Sequence, residues 1–118
     1  MTASPIEIDP TRIDVRAATS SSGTVVCVSG EVDSTTAPGL ANCLLEVISR
    51  SSDSAIEVDL REVTFLDSAG LAALATAHRA ADAAGRELRM RCGTTRAVVR
   101  PLQITGLWNV FTVVDAVC

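Results

Sequence analysis

The sequence predicts an α/β domain built on a mixed sheet of four to five strands. Short runs rich in Val, Ile and Leu alternate with longer Ala- and Leu-rich segments, a pattern typical of strands and helices packed in layers. The first two strand-like runs are separated by the turn-forming Ser20-Ser-Ser-Gly23, which predicts a hairpin. Because a hairpin is antiparallel, the sheet is expected to be mixed rather than purely parallel.

The individual elements are predicted from apolar spacing and turn signals. The first helix begins after Ser34-Thr-Thr, and Leu40, Leu44 and Ile48 form its apolar stripe. Gly85 is suited to end the second helix. The predicted strands are Arg12–Ala17, Thr24–Ser29, Ala55–Leu60 with an extension through Val63–Leu66, Glu87–Arg91 and Phe111–Val114; the predicted helices are Thr36–Ser51, Ala69–Ala84 and Thr94–Leu102, with a short turn or helical piece over Ile104–Val110.

Length and composition fit one domain with an aliphatic core. The chain has 118 residues, of which 47% are hydrophobic and only 3% aromatic. Residues 1–10 are expected to form a flexible tail, and residues 11–118 a single domain. The net charge of −4 disfavours direct nucleic-acid binding. Since no signal-peptide pattern and no membrane-spanning helix are recognisable, we expect a cytoplasmic protein without membrane contact.

The four cysteines are dispersed, without the spacing of a zinc site. Cys27 lies in a Val-rich run and Cys43 on the apolar stripe of the first helix, so both are expected to be buried in a reducing compartment. Cys92 ends a strand and Cys118 ends the chain. These two are therefore the candidates for an exposed, redox-sensitive thiol.

The most informative stretch is Val63-Thr-Phe-Leu-Asp-Ser-Ala-Gly-Leu71, where a strand-like run ends and a helix begins at once. Ser68 occupies the junction, where we expect the helix N-cap, beside backbone N–H groups that lack an intrahelical partner. Its hydroxyl has three possible roles: an ordinary cap, a nucleophile or a phosphorylation site. From the residues alone the ordinary cap is favoured, and phosphorylation stays open.

A catalytic serine is disfavoured. The window Leu66-Asp-Ser-Ala-Gly70 lacks the first glycine of a hydrolase Gly-x-Ser-x-Gly elbow. The sequence has no lysine, and its single histidine, His78, follows on the same predicted helix, about 15 Å away at ~1.5 Å per residue. No dinucleotide loop, P-loop or metal cluster is present. We therefore expect no enzymatic activity, no cofactor and no metal.

Phosphorylation of Ser68 would have a definite physical consequence. A phosphoserine carries about −1.5 to −2 charges, which the N–H groups and dipole of a helix N-terminus are expected to accommodate. A partner packed over the same spot would instead have to desolvate that charge beside Asp67. The fold would survive and the interface would be lost, as a binding switch requires.

Three motifs occur in order along the chain: Gly30-Glu-Val-Asp33 after a Val-rich strand, Val58-Asp-Leu60 followed by Val63-Thr-Phe-Leu-Asp-Ser-Ala-Gly70, and Leu102-x-x-x-Gly-Leu107 before a terminal strand. Together they resemble the STAS domain family, the anti-sigma factor antagonists of bacteria. The resemblance covers about residues 10–116, and its middle motif is the most specific.

The resemblance implies a mixed sheet with about four helices on one face and no catalysis. Members bind an anti-sigma factor, often a serine-protein kinase of the GHKL type, and so free a sigma factor. The kinase phosphorylates the serine after the Asp, here Ser68, and a phosphatase reverses this. Ala69 stands where many members have a second serine. The partner-binding residues implied are Asp33, Ser34, Asp67, Ser68, Ala69 and Gly70.

Two alternative functions stay open beside a phosphorylation-switched antagonist. The first is a related antagonist controlled by cysteine oxidation, suggested by the four cysteines. The second is a small-molecule or nucleotide-binding module that uses the surface around Asp33 and Ser68.

Overall fold

Strands and helices alternate along the chain, as the sequence predicts. The computed structural model describes residues 12–20 and 23–115; the predicted tail and Cys118 lie outside the described residues. The described elements are β1 (Ile13–Ser20), β2 (Gly23–Val32), α1 (Ala37–Arg50), β3 (Ala55–Leu66), α2 (Ser68–Ala83), β4 (Glu87–Arg91), α3 (Arg96–Thr105), a 3₁₀ helix (Leu107–Asn109) and β5 (Thr112–Val113).

The five described strands form one sheet in the order of the sequence, so each strand pairs with the strand before it. β1 runs antiparallel to β2, and every later neighbour is parallel. The predicted hairpin and mixed sheet are confirmed. The described helices are three α-helices and one 3₁₀ helix, which takes the place of the fourth predicted helix.

Among the described residues, the helices cover one face of the sheet and leave the other open. Along β3, Ile56, Val58 and Leu60 are buried, whereas Glu57 and Asp59 between them point to the opposite face. This alternation is expected of a strand with one face against the core. The core is almost wholly aliphatic, as the composition predicts.

Ion pairs occupy the open face. Arg61 bonds Asp59 at 2.8 Å, and Arg91 on β4 bonds Glu57 on β3 at 2.9 Å. The side-chain hydrogen bond from Arg61 is the main cause that holds the pKa of Asp59 below its ordinary value. The charges of these four residues are therefore paired with one another on the open face.

β3 is one continuous strand with two β-bulges, although the sequence predicts a strand and a separate extension. The pairing of Cys27 with Asp59 is followed by that of Ser29 with Glu62, so β3 gains one residue on β2. A second extra residue enters further along, near the end of β3. Bulges of this kind bend a strand and re-aim its side chains. Here the two bulges shift the alternation of β3, so that Val63 and Leu66 are its buried residues before the turn at Asp67.

The cysteines are placed differently from the prediction. Cys27 is exposed, because its side chain points to the open face of β2. Cys92 is 0% exposed, and burial raises its pKa to about 12, with the nearby Asp115 carboxylate as a second cause. The prediction of an exposed thiol at Cys92 is therefore wrong, as is that of a buried Cys27.

Cys43 is half-buried on α1, and burial also raises its pKa. No described helix has the length and hydropathy needed to cross a membrane. Within residues 12–20 and 23–115, no cluster of three or more His, Cys, Asp or Glu side chains is arranged to hold a metal ion.

Candidate functional site

The turns that follow β2 and β3 lie side by side. The two strands are parallel, with Val32 opposite Leu66, so Asp33 and Asp67 emerge at the same edge of the sheet. The backbone N–H of Asp67 donates to the carbonyl of Val32 at 3.2 Å and ties the second turn to the first strand. The structure thus brings together the two acidic residues that the sequence singles out.

Asp67, and not Ser68, is the N-cap of α2. Its backbone is extended, and its Oδ1 accepts hydrogen bonds from the N–H groups of Ala69 at 3.0 Å and Gly70 at 3.1 Å. Its carbonyl accepts from the N–H of Leu71 at 2.9 Å. The prediction of Ser68 as the cap is wrong, because the carboxylate before it reaches both N–H groups first.

Ser68 is consequently the first residue of α2, and its side chain is exposed. Within the described part of the chain, its hydroxyl makes no hydrogen bond. The carboxylate of Asp67 already occupies the N–H groups of Ala69 and Gly70. A phosphate on Ser68 would therefore lie beside a carboxylate and not on free N–H groups, contrary to the expectation from the sequence.

Asp33 has the same capping geometry but is also tied to a cation. Its Oδ1 accepts from the N–H groups of Thr35 at 2.9 Å and Thr36 at 3.2 Å. Its Oδ2 is bonded to the guanidinium of Arg12, which also donates to Glu31 at 3.3 Å. With 19% of its side chain exposed, Asp33 mainly holds the turn in place.

Arg12 is the residue that sequence reasoning missed. The ion pair joins positions 21 apart in the chain, so no local pattern signals it. Gly30 allows the contact: its φ is +98°, and a Cβ there would overlap the carbonyl oxygen of Arg12. Only glycine lets the backbone of Arg12 lie this close to β2.

Gly70 and Ala69 have packing roles at the start of α2. Gly70 is buried, and a Cβ there would lie 2.5 Å from Leu66 Cδ1 and 2.8 Å from Val32 Cγ1. The glycine thus allows α2 to begin close to the ends of β2 and β3. Ala69 is partly buried and lines the cavity described next. Ser34, like Ser68, is exposed.

A shallow apolar cavity of about 300 Å³ lies between α1 and α2, next to these turns. Small side chains line it, among them Pro38 and Ala41 of α1 and Ala69 and Ala72 of α2, with Ser34 at its edge. Among the residues that the structure describes, no charged one lines the cavity, so it does not suit a phosphate group. Sequence reasoning missed this cavity, because alanines on a helix are usually ordinary core or surface positions.

His78 offers no base for Ser68. It lies on α2, about 15 Å further along the helix at ~1.5 Å per residue. Its ring packs against Phe111 with centroids 5.4 Å apart. A nucleophile needs a base within hydrogen-bond reach, and His78 is too far along α2 to be that base for Ser68.

A profile of the family described as "Mlab, STAS domain" matches residues 15–114. An anti-sigma factor antagonist from Mycobacterium paratuberculosis is 30% identical, with a TM-score of 0.73, over 94% of this chain and 92% of that chain.

Two further solved structures are more distant and show the fold alone. The phosphorylated form of the Bacillus cell fate determinant SpoIIAA is 14% identical, with a TM-score of 0.64, over 86% of this chain and 92% of that chain. A STAS domain anti-sigma factor antagonist from Rhodobacter sphaeroides is 18% identical, with a TM-score of 0.58, over 75% of this chain and 95% of that chain.

Proposed function

The chain belongs to the STAS domain family, and from that premise we propose that it is a cytoplasmic anti-sigma factor antagonist. It binds an anti-sigma factor and so frees a sigma factor for transcription, without catalysis of its own. The antagonist from Mycobacterium paratuberculosis, similar over nearly the whole of both chains, supports this role.

Ser68 is the proposed phosphorylation site, and its exposure carries the proposal. Its hydroxyl is exposed and follows Asp67 directly, and within the described residues it makes no hydrogen bond. A protein kinase can reach such a hydroxyl without opening the fold. The proposed partner is therefore an anti-sigma factor that is itself a serine kinase of the GHKL type, and a phosphatase restores the free hydroxyl.

The neighbouring carboxylate explains why a phosphate would act on the partner and not on the fold. Asp67 already satisfies the N–H groups of Ala69 and Gly70, so the phosphate gains little from its own chain. A partner packed over Ser68 would have to desolvate two negative groups together, at a cost of several kcal/mol. A nearly complete switch from bound to free needs about 5.5 kcal/mol.

The remaining residues of the site have distinct proposed roles. Asp67 fixes the start of α2, and Gly70 lets α2 approach the sheet. Asp33, held by Arg12, fixes the neighbouring turn. Ser34 and Ala69 lie along the apolar cavity between α1 and α2, where we place part of the contact with the partner.

The two alternative functions have less support. A redox switch at Cys92 would require a thiol that oxidants can reach, whereas Cys92 is buried with a raised pKa. Cys118 lies outside the described residues. A nucleotide site at Asp33 and Ser68 would need groups for phosphate, but Asp33 is engaged by Arg12 and the adjacent cavity is apolar.

The test is capture of the partner from a lysate of the native bacterium, read by mass spectrometry, with four baits. Wild type and Ser68→Ala are expected to capture an anti-sigma factor, and Ser68→Glu to capture about tenfold less. Ser52→Glu is the matched control, since it places the same charge on an exposed serine beyond the other end of α1. Equal capture by Ser68→Glu and wild type would refute the switch. Absence of any anti-sigma factor on wild type would refute the antagonist role.

A second readout addresses the modification itself. Incubation of the captured complex with ATP is expected to add phosphate to the wild type at Ser68, as mapped by mass spectrometry. Ser68→Ala is expected to stay unmodified, and modification of Ser68→Ala at Ser34 instead would move the proposed site to the neighbouring turn.

A further inference from the structure

We propose that Phe65 is an anchor residue for the anti-sigma factor, received by an apolar socket that lysine or arginine side chains border on the partner. The proposal rests on the proposed function and adds a second contact region, on the open face of the sheet.

The second β-bulge of β3 turns Phe65 outward. Gly30 pairs with Val63 and Glu31 pairs with Phe65, so Thr64 is the extra residue. Strict alternation from the buried Val63 would bury Phe65 and expose Leu66. The bulge reverses this: Phe65 is 49% exposed, and Leu66 is buried directly before Asp67. The second β-bulge thus has two effects. It buries Leu66 directly before the Asp67-Ser68 turn, and it exposes the ring of Phe65.

The exposure of Phe65 is unusual for this chain. It has only two phenylalanines, and the other one, Phe111, is buried in the core. An aromatic ring offers a large apolar area with few rotatable bonds, and such residues contribute strongly when an interface buries them. Other exposed aliphatic side chains, such as Ile104 and Val110, belong to segments that form neither the Asp33 nor the Asp67 turn.

The charges around Phe65 indicate the chemistry of the partner. Glu31 lies opposite Phe65 in the pairing of β2 with β3, and its side chain is about half-exposed. Glu62, on the same stretch of β3, is exposed and forms no ion pair with another described residue. The nearby Arg12 is already bonded to Glu31 and Asp33. A basic rim on the partner would complement this surface.

The cavity between α1 and α2 and the surface around Phe65 then have different roles in binding the partner. Ala69, the residue after Ser68, lines the apolar cavity between α1 and α2, so a partner that covers this cavity would have to desolvate a phosphate on Ser68. The region around Phe65 supplies affinity and a charge complementarity that salt can screen.

The test measures the affinity of the purified anti-sigma factor for wild type, Phe65→Ala and the control Ile104→Ala. Phe65→Ala is expected to bind about tenfold or more weakly, and Ile104→Ala within about twofold of wild type. Phe65→Thr is the second variant, because threonine is favourable in strands and keeps β3 intact. Thermal melts confirm that each variant is folded.

A charge variant tests the basic rim. Glu62→Gln is expected to bind about threefold more weakly at low salt and like wild type at high salt. Wild-type affinity for both Phe65 variants, with Ser68→Glu still impaired, would overturn the anchor and leave the proposed function standing. Loss of affinity in Ile104→Ala equal to that in Phe65→Ala would also overturn it. Failure of wild type to bind any anti-sigma factor would overturn the proposed function itself.

Discussion

Asp33-Ser34 follows β2 and Asp67-Ser68 follows β3, and the two turns have the same hydrogen-bond pattern. In each, the Asp Oδ1 accepts from the N–H groups two and three residues later, and the Asp carbonyl accepts from the N–H four residues later. In each, the serine is exposed. The same turn therefore follows two adjacent parallel strands, and it leads directly into α2 after β3 and into α1 at Ala37 after β2.

The turns differ in what surrounds the shared pattern. Asp33 is braced by Arg12, and Thr36 donates its hydroxyl to the carbonyl of Glu31 at 2.8 Å. The second turn has Gly70 at the position equivalent to Thr36, and close packing replaces those polar contacts. A cap alone therefore does not mark a functional serine. Ser34 lines the apolar cavity, and what distinguishes Ser68 is the exposed ring of Phe65 three residues before it, where the first turn has Glu31.

The largest expected effect tests whether α2 holds the second turn in place. Leu74 is fully buried, so Leu74→Ala is expected to reduce the free energy of unfolding by about 2–5 kcal/mol. Denaturant melts measure it, and Leu40→Ala on α1 is the matched variant for the first turn. A loss below about 1 kcal/mol would show that α2 faces solvent.

Gly70→Ala tests the close packing of α2 against β2 and β3, which the second turn has in place of the hydrogen bonds of Thr36. The added Cβ would crowd Leu66 and Val32, so a loss of about 1–3 kcal/mol is expected. Ser68→Ala, on the exposed side of the same turn, is expected to change stability by less than about 0.5 kcal/mol. Equal stability of the two variants would mean that the start of α2 is not tightly packed.

A matched pair of isosteric changes isolates the contribution of Arg12. Asparagine caps a helix about as well as aspartate, so Asp67→Asn is expected to stay within about 0.5 kcal/mol of wild type. Asp33→Asn also loses the charge that faces the partly exposed Arg12, and about 1 kcal/mol is expected. Urea melts at low and high salt measure both. A loss in Asp67→Asn as large as in Asp33→Asn would remove the distinction between the turns.

The smallest expected effect concerns the two serines. Ser34→Glu and Ser68→Glu both place a charge on an exposed side chain, so each is expected to change stability by less than about 0.5 kcal/mol. Both changes are expected to act on partner binding and not on the fold. A destabilised Ser68→Glu, seen as a lower thermal midpoint, would show that a charge there acts on the fold.

The sequence predicts the elements well, because apolar spacing and turn residues are local signals. β4 has the predicted bounds, Glu87–Arg91, and Gly85 follows α2 as predicted. The cap at Asp67 is also local, but aspartate and serine are both good caps, and only the backbone conformation decides between them. The family resemblance placed Asp33 and Asp67 on one surface, and the register of β2 with β3 agrees.

Features that depend on distant residues were not predictable. The bond between Arg12 and Asp33 links two strand ends through tertiary structure. The exposure of Cys27 and the burial of Cys92 depend on which face each strand turns to the helices. The exposure of Phe65 depends on a bulge that shows only in the pairing of β3 with β2.

The order of the strands in the sheet has a consequence for folding during synthesis. Each described strand pairs with the one made just before it, so the sheet can grow from one edge as the chain leaves the ribosome. The groups that shape the surface around Ser68, from Arg12 to the start of α2, all precede β4. We expect this surface to assemble early, and β4 and α3 to stabilise it afterwards by completing the core.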